Sequence, residues 1–392
     1  MPSETSLLIL GAGPFGLALA AFARHLGIDH LVVGRPMDFW KTHMPAGMIL
    51  RSACDWHLDP LEQHTIESFL ESEGLTPADV EPLPLSRYLD YASWFQEKKQ
   101  IATIPVLIQR LDWFPERAAR FQATLEDGRM LTARHVVIAP GCRHFANRLP
   151  ELLQKLPEGS FTHTCDLVDF ASLKEKRCLI IGGRQSAFEW AALLNEAGAR
   201  SVHLSCRHDA PAFAAADWKW VTPLVDGMVE NPGWFRRLAP EEKEAVTRRL
   251  WAEGRMKVEP WLESRVRKAT LRPGTEIVSC RPRPGHLEVT LSSEEQIDVD
   301  HILLATGYKA DVAKLPFLNQ GNLLDTLATR NGYPVLNESF QTSIPGLFAT
   351  GFLATQDFGP FFAFTVSVRT SAKVIGRAVR NLESGPATRD FS

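Results

Sequence analysis

The chain has 392 residues, 45% of them hydrophobic and 23% charged, with a formal net charge of −3. That length allows two or three domains around a sizeable core, and a near-neutral charge without a basic stripe excludes nucleic acid as a partner. The six cysteines include no CxxC pair, which excludes a redox disulfide of adjacent thiols, and no His/Cys cluster has the spacing of a metal site.

The first feature in chain order is the apolar run 7–23, LLILGAGPFGLALAAFA. It ends in an A-x-A-like triplet, but no Lys or Arg precedes it, and Gly11, Gly13, Pro14 and Gly16 interrupt its centre. It is expected to be neither a secretory signal nor a membrane span, which leaves a cytoplasmic protein with reduced cysteines. The pattern predicts a strand, then Gly11-x-Gly13-x-x-Gly16 opening a helix, then a second strand in HLVVGR (30–35). Gly11 makes the turn, Gly13 admits a pyrophosphate to the backbone, and Gly16 lets helix and strand pack closely. The helix N-terminus then offers unpaired N–H groups to phosphates. The second strand ends in Gly34 and Arg35, where an acid would hold a ribose. Either Arg35 reaches a phosphate or the adenine, or Asp38 takes the acid's place.

Residues 40–100 hold helix-like runs such as LSRYLDYASWFQEKK. A β-meander follows at 104–133 with a turn at Asp127-Gly128, and it leads into the strand ARHVVIAPG (133–141). The plan then repeats. CLIIGGRQSAFEWAALLNEAGARSVHLSCR (178–207) aligns with residues 7–35 without a gap, Gly182 falling on Gly11 and Gly198 on Gly27. A second meander turns at Pro284-Gly285, and DHILLATGY (300–308) echoes 133–141. Between them, residues 209–272 hold five of the ten tryptophans and a charged helix, which reads as an inserted helical subdomain.

The second cradle departs from the first. Ala187 stands at the third-glycine position, and Arg184 replaces the middle glycine where backbone must approach phosphate. A guanidinium binds phosphate through a bidentate, charge-assisted fork. Gly182, Gly183, Arg184, Gln185 and Ser186 are therefore expected around NADPH, with Arg207 and His208 at the end of an acid-free strand suiting its 2′-phosphate. The alternative is a relic cradle in which Arg184 pairs with Glu189.

The chain resembles the class B flavoprotein monooxygenases and their N-hydroxylating relatives. The residues that carry the resemblance are GAGPFGLALA (11–20), DFWKTHMPAGMILRS (38–52), RYLDYASWF (87–95), DHILLATGY (300–308) and IPGLFATG (344–351). It implies an α/β fold of glutathione-reductase-like two-dinucleotide-binding architecture. Two Rossmann-like domains are expected, the second inserted in the first: FAD-binding parts at 1–172 and 296–392, and an NADPH-binding domain at 173–295. The FAD site is expected to use Gly11, Gly13, Pro14, Phe15, Gly16, Arg35, Trp40, Arg51, Gly141, Gly351 and Phe361, and Tyr308 is expected with NADPH. The implied activity is NADPH-dependent oxygenation of a small soft nucleophile, N or S, through a flavin C4a-peroxide. Its partners would be a small-molecule substrate and molecular oxygen. A reductase or oxidase without oxygen insertion, and a non-enzymatic flavin-binding sensor, are the alternatives.

The linker departs from the Baeyer–Villiger pattern F-x-G-x-x-x-H-x-x-x-W/P. Gly159 and His163 fit it, but Pro157 and Leu167 do not. RSACDWHLDP (51–60) is the segment read for chemistry, with His57 and Asp59 as candidates to steer a proton or the substrate. A helix-start cluster at Asp59-Pro60 is the competing reading.

Overall fold

The structure is a computed structural model, and it describes residues 4–384. Its first sheet is built on Glu4–Leu10, flanked in parallel by His30–Val33 and Met130–Ile138. Leu7, Leu8 and Ile9 are fully buried, as an apolar run without alternation becomes when a parallel strand is covered on both faces. Met130–Ile138 serves two further partners. Its first half takes the antiparallel meander Ile108–Trp113 and Phe121–Leu125, and its second half pairs in parallel with Leu347–Ala349. The helix Pro14–His25 packs against the last helix, Val368–Glu383, at a close approach set by Gly376. A Cβ at Gly376 would come within 2.6 Å of the Phe22 ring.

The second sheet is parallel throughout, in the order Thr270–Pro273, Ser201–Cys206, Arg177–Ile181, His301–Leu304, Phe161–His163. It carries its own meander of Ile277–Arg283, His286–Leu291 and Gln296–Val299. The plan repeated in the sequence is thus built twice in space. Asp300 ties the ends of the second unit together. It accepts from the Arg177 guanidinium at 2.7 Å and from the Arg177 backbone N–H at 2.7 Å.

The second sheet reaches past the boundaries expected after residues 172 and 295. His301–Leu304 lies beside Arg177–Ile181, and Phe161–His163 forms the edge of the same sheet. Both segments extend the second unit's parallel stack, so they do not belong to the first.

The insertion consists of short helices, Val221–Gly227, Trp234–Arg237, Pro240–Leu250 and Trp261–Arg265, with a π-helical turn at Trp251–Arg255. It bridges the two units. Val221, Val225 and Leu250 share a core with Trp56, Phe361 and Val366 of the first unit. Leu262 packs under the helix Gln185–Glu196 of the second. From the 40–100 segment, Leu85–Lys98 forms the predicted helix and buries Leu85, Tyr88, Tyr91, Ala92 and Phe95 on one face.

Candidate functional site

The first cradle follows Glu4–Leu10. Gly11 has φ +122°, and a Cβ there would lie 2.1 Å from the Ala139 carbonyl oxygen. A Cβ on Gly16 would lie 1.8 Å from the Gly11 carbonyl oxygen, so only glycine lets helix and turn sit this close. Gly13 caps the helix in an extended conformation, and a Cβ there would meet nothing within 4 Å. Pro14 occupies the first turn, where its missing N–H costs nothing. Two crowded glycines and one facing open space fit a pyrophosphate resting on the helix N-terminus.

The glycine that replaces the ribose-binding acid has a steric cause. Gly34 has φ +137°, and a Cβ there would lie 3.0 Å from the Ala12 nitrogen. Arg35 beside it is exposed, and Asp38 lies 3.9 Å from Arg143. Gly351 rests against the Phe15 ring, which a Cβ would approach to 3.3 Å, while Gly141 faces open space. Trp40 packs on Tyr88 at 4.8 Å between ring centres.

Three expected site residues take other roles. Phe361 is fully buried, edge-on to Trp220 at 5.6 Å, so it is core and has no surface to give a cofactor. Asp59 is fully buried, with Lys99 Nζ at 2.8 Å and backbone N–H donors from Leu61, Gln63 and His64 at 3.0, 2.9 and 2.8 Å. Burial alone would raise its pKa, but these bonds outweigh it and hold the carboxyl below its ordinary range. His57 is buried, and Arg369 Nη1 stands 2.7 Å from its Nε2. Burial and the Arg369 charge push its pKa down to about 3, so it is neutral at pH 7. Both side chains are thus committed to partners inside the protein. The pair braces a turn from 59 to 64, and the next helix starts later, at Ile66 with Thr65 as its cap.

The second cradle copies the first in backbone. Gly182 has φ +146°, and a Cβ there would lie 2.5 Å from the Ala305 carbonyl oxygen. Arg184 caps its helix in the same extended conformation as Gly13. A Cβ at Gly183 would come within 2.6 Å of both Cys206 and His208, so the end of the strand Ser201–Cys206 closes over it. Beside it a crevice is lined by Gly182, Gly183, Cys206, Pro211 and Arg272. Ser186 and Arg207 are exposed, and Arg207 stands 3.6 Å from Glu276.

Arg184 does not pair with Glu189. Its guanidinium lies 3.5 Å from the centre of the Trp251 ring, on the insertion, and its Nη1 has no hydrogen-bond partner. Glu189 is held instead by Gln185 at 3.2 Å, by Trp261 at 3.2 Å and by Arg265 at 3.5 Å. Gln185 is committed at its other end too, accepting from the Glu259 N–H at 3.1 Å. Arg51 bonds Glu259 at 2.9 Å and lies 5.3 Å from the Trp218 ring centre, so it joins the first unit to the insertion. Arg255, which sequence reasoning missed, stands by the same indole, 5.4 Å from its centre. The spacing Trp-x-x-x-Arg at 251–255 was the available signal.

Tyr308 lies edge-on to His163 at 5.3 Å and to Phe39 at 6.1 Å. His163 is buried at the end of the strand Phe161–His163, with Cys165 Sγ at 3.1 Å from its Nδ1 and the Gly307 carbonyl at 3.1 Å from its Nε2. All six cysteines are free. Burial pushes Cys54, Cys142 and Cys178 up to about 12 and Cys165 to about 11, and it raises Cys206 and Cys280 as well. A redox thiol needs the opposite shift. No helix among the described residues is long and apolar enough to cross a membrane.

A family model described as pyridine nucleotide-disulphide oxidoreductase matches residues 5–360. A protein named as a probable indole-3-pyruvate monooxygenase, YUCCA9 of Arabidopsis thaliana, is 23% identical over 393 residues, which cover 88% of this chain and 83% of that protein. A ferredoxin–NADP reductase of Paraburkholderia phymatum is 24% identical over 358 residues, 90% of this chain and 82% of the reductase. Among solved structures, the ornithine N-hydroxylase of Kutzneria sp. 744, with reduced FAD, NADP+ and L-ornithine, superposes with a TM-score of 0.79 at 16% identity. That match covers 97% of this chain and 100% of the hydroxylase, and at such identity it carries the fold.

Proposed function

Because the chain belongs to the pyridine nucleotide-disulphide oxidoreductase family, with two nucleotide cradles on two parallel sheets, we propose that it is an FAD-dependent monooxygenase that takes electrons from NADPH and oxygenates a small soft nucleophile. Gly11, Gly13 and Gly16 hold the FAD pyrophosphate at the N-terminus of Pro14–His25, with Gly351 and Phe15 beside it. Gly182, Gly183 and the N-terminus of Gln185–Glu196 hold NADPH, with Arg207 and His208 toward the 2′-phosphate. Bound FAD supplies the electron and oxygen chemistry. The chain supplies position and dryness, the latter from the aromatic groups Trp218, Trp251 and Phe364 that the insertion gathers between the units.

What favours oxygenation over disulphide reduction is the state of the thiols. In a family named for disulphide chemistry, all six cysteines here are unpaired, and burial moves each of them away from the thiolate. The chain has no dithiol of its own to receive electrons from the flavin. The monooxygenase and N-hydroxylase names of two compared proteins support the same reading.

Anaerobic titration tests the electron supply. The purified yellow protein is expected to bleach with NADPH at a concentration about tenfold below that needed with NADH, since Arg207 offers the 2′-phosphate a charge-assisted bond. Equal response to both nucleotides would remove Arg207 from the site, and no bleaching with either would remove NADPH from the reading.

A further inference from the structure

We infer that the substrate is an organic carboxylate, and that Arg255, with Arg184 and Arg51 beside it, holds the carboxylate against the Trp251 ring. The inference rests on the monooxygenase reading above and names the class of its substrate.

The site is built by the π-helical turn Trp251–Arg255. π-helical turns are rare and concentrate at functional sites. Here the wide turn brings Trp251 and Arg255 to the same side, with the Arg255 guanidinium 5.4 Å from the Trp251 ring centre and 4.9 Å from that of Phe364. Arg184 lies 3.5 Å from the same indole, so two guanidinium groups share one ring. Arg51 completes the group by donating to the Gly254 carbonyl inside the turn at 2.9 Å. Gly254 is required there, because a Cβ would fall 2.2 Å from the Trp218 ring.

Three positive charges thus converge, and Glu259 bonds only one of them, Arg51. Among the described residues, neither Arg184 nor Arg255 has a carboxylate or carbonyl partner for its guanidinium. Burial, then the charges of Arg184 and Arg51, pull the pKa of Arg255 down to about 10, and burial does the same to Arg184. Both remain charged at pH 7. Cation–π contact with an indole returns about 0.5–2 kcal/mol and leaves the N–H edges of the fork free. A carboxylate takes those edges in a bidentate pair and cancels the repulsion.

Placement separates Arg255 and Arg51 from the nucleotide's phosphates, whereas Arg184 caps the second cradle's helix and is shared with it. The crevice beside the second cradle lies at the end of Ser201–Cys206, lined by Gly183, Cys206, Pro211 and Arg272. Arg255 instead rests on Phe364 of the first unit, and Arg51 reaches the insertion from the segment after the first cradle. The acid's body would face Trp218, Trp251 and Phe364, which suits an apolar group.

The test is calorimetric binding of aliphatic and aromatic monocarboxylates, each with its methyl ester, to the FAD-loaded protein. At least one acid is expected to bind about tenfold or more tighter than its ester, the size of a charge-assisted bond. Arg255→Ala is expected to erase that advantage, and Arg255→Lys to keep part of it, because lysine retains charge without the fork. If the alanine variant does not fold, the lysine variant carries the comparison. Acids that bind no better than esters would overturn the inference. So would an Arg255→Ala protein whose half-bleaching concentration of NADPH rises more than its acid affinity falls, which would make Arg255 a contact of the cofactor phosphate. The binding is read without oxygen, so failure of the oxygenase reading and failure of the carboxylate site are separate results.

Discussion

A Gly16→Ala protein is expected to purify colourless and to unfold at a clearly lower denaturant concentration than the parent. The added methyl would lie 1.8 Å from the Gly11 carbonyl oxygen, a backbone atom that no rotamer change can move. Either the helix shifts off the sheet or the turn opens, at a cost of about 3 kcal/mol or more for overpacking of this kind. Gly13→Ala is the informative companion. A Cβ at Gly13 meets nothing within 4 Å, so the ligand-free variant should unfold where the parent does. Its FAD affinity should nevertheless fall about tenfold or more, because that space is where backbone and pyrophosphate must meet. A Gly13→Ala protein that retains flavin as tightly as the parent would place the pyrophosphate elsewhere.

Replacing Asp59 with asparagine is expected to cost about 3–5 kcal/mol of stability at pH 7, measured by chemical denaturation. The carboxylate is fully buried against Lys99 at 2.8 Å. Its removal leaves the lysine charge buried without a partner, which is the expensive way to break a buried pair. The pH dependence carries the sign. A carboxyl whose folded pKa is depressed below the ordinary 3.8 stabilises above that value and loses the contribution as pH falls through the folded pKa. The gap between parent and Asp59→Asn should therefore be full at pH 7 and narrow below pH 3.8. A catalytic Asp59 would give the opposite outcome, lost turnover with unchanged stability.

What was legible in the sequence was what the backbone demands. Gly11 and Gly182 stand at matching places in the two repeats, and each abuts the carbonyl of a matching alanine, Ala139 or Ala305. A positive φ and a close carbonyl leave glycine no substitute, so the repeat shows in the letters. The meanders were legible for a similar reason, since one buried face enforces alternation. Tertiary pairing was harder. The strand His301–Leu304 resembles a piece of the first unit in composition, and only its register beside Arg177–Ile181 assigns it to the second.

At the polar cluster 55–59 the letters show polarity and not burial. Asp59 and His57 look like a proton relay until their partners are seen to be Lys99, Arg369 and backbone donors. The sequence offers Arg184 as a phosphate ligand or as the partner of Glu189. Its actual neighbour, Trp251, comes from the insertion and from no part of the repeat. Contacts of that kind depend on how a helical insertion folds back, which no local period encodes.

The oxygen step is tested most directly by reducing the FAD-loaded protein anaerobically with NADPH and then mixing it rapidly with oxygenated buffer while recording the flavin spectrum. The account predicts a transient oxygen adduct of the flavin that persists before the yellow oxidised form returns, and that decays faster when an accepted carboxylate is present. Immediate return to the oxidised spectrum, with every electron recovered as hydrogen peroxide, would contradict it and make the protein a reductase or oxidase.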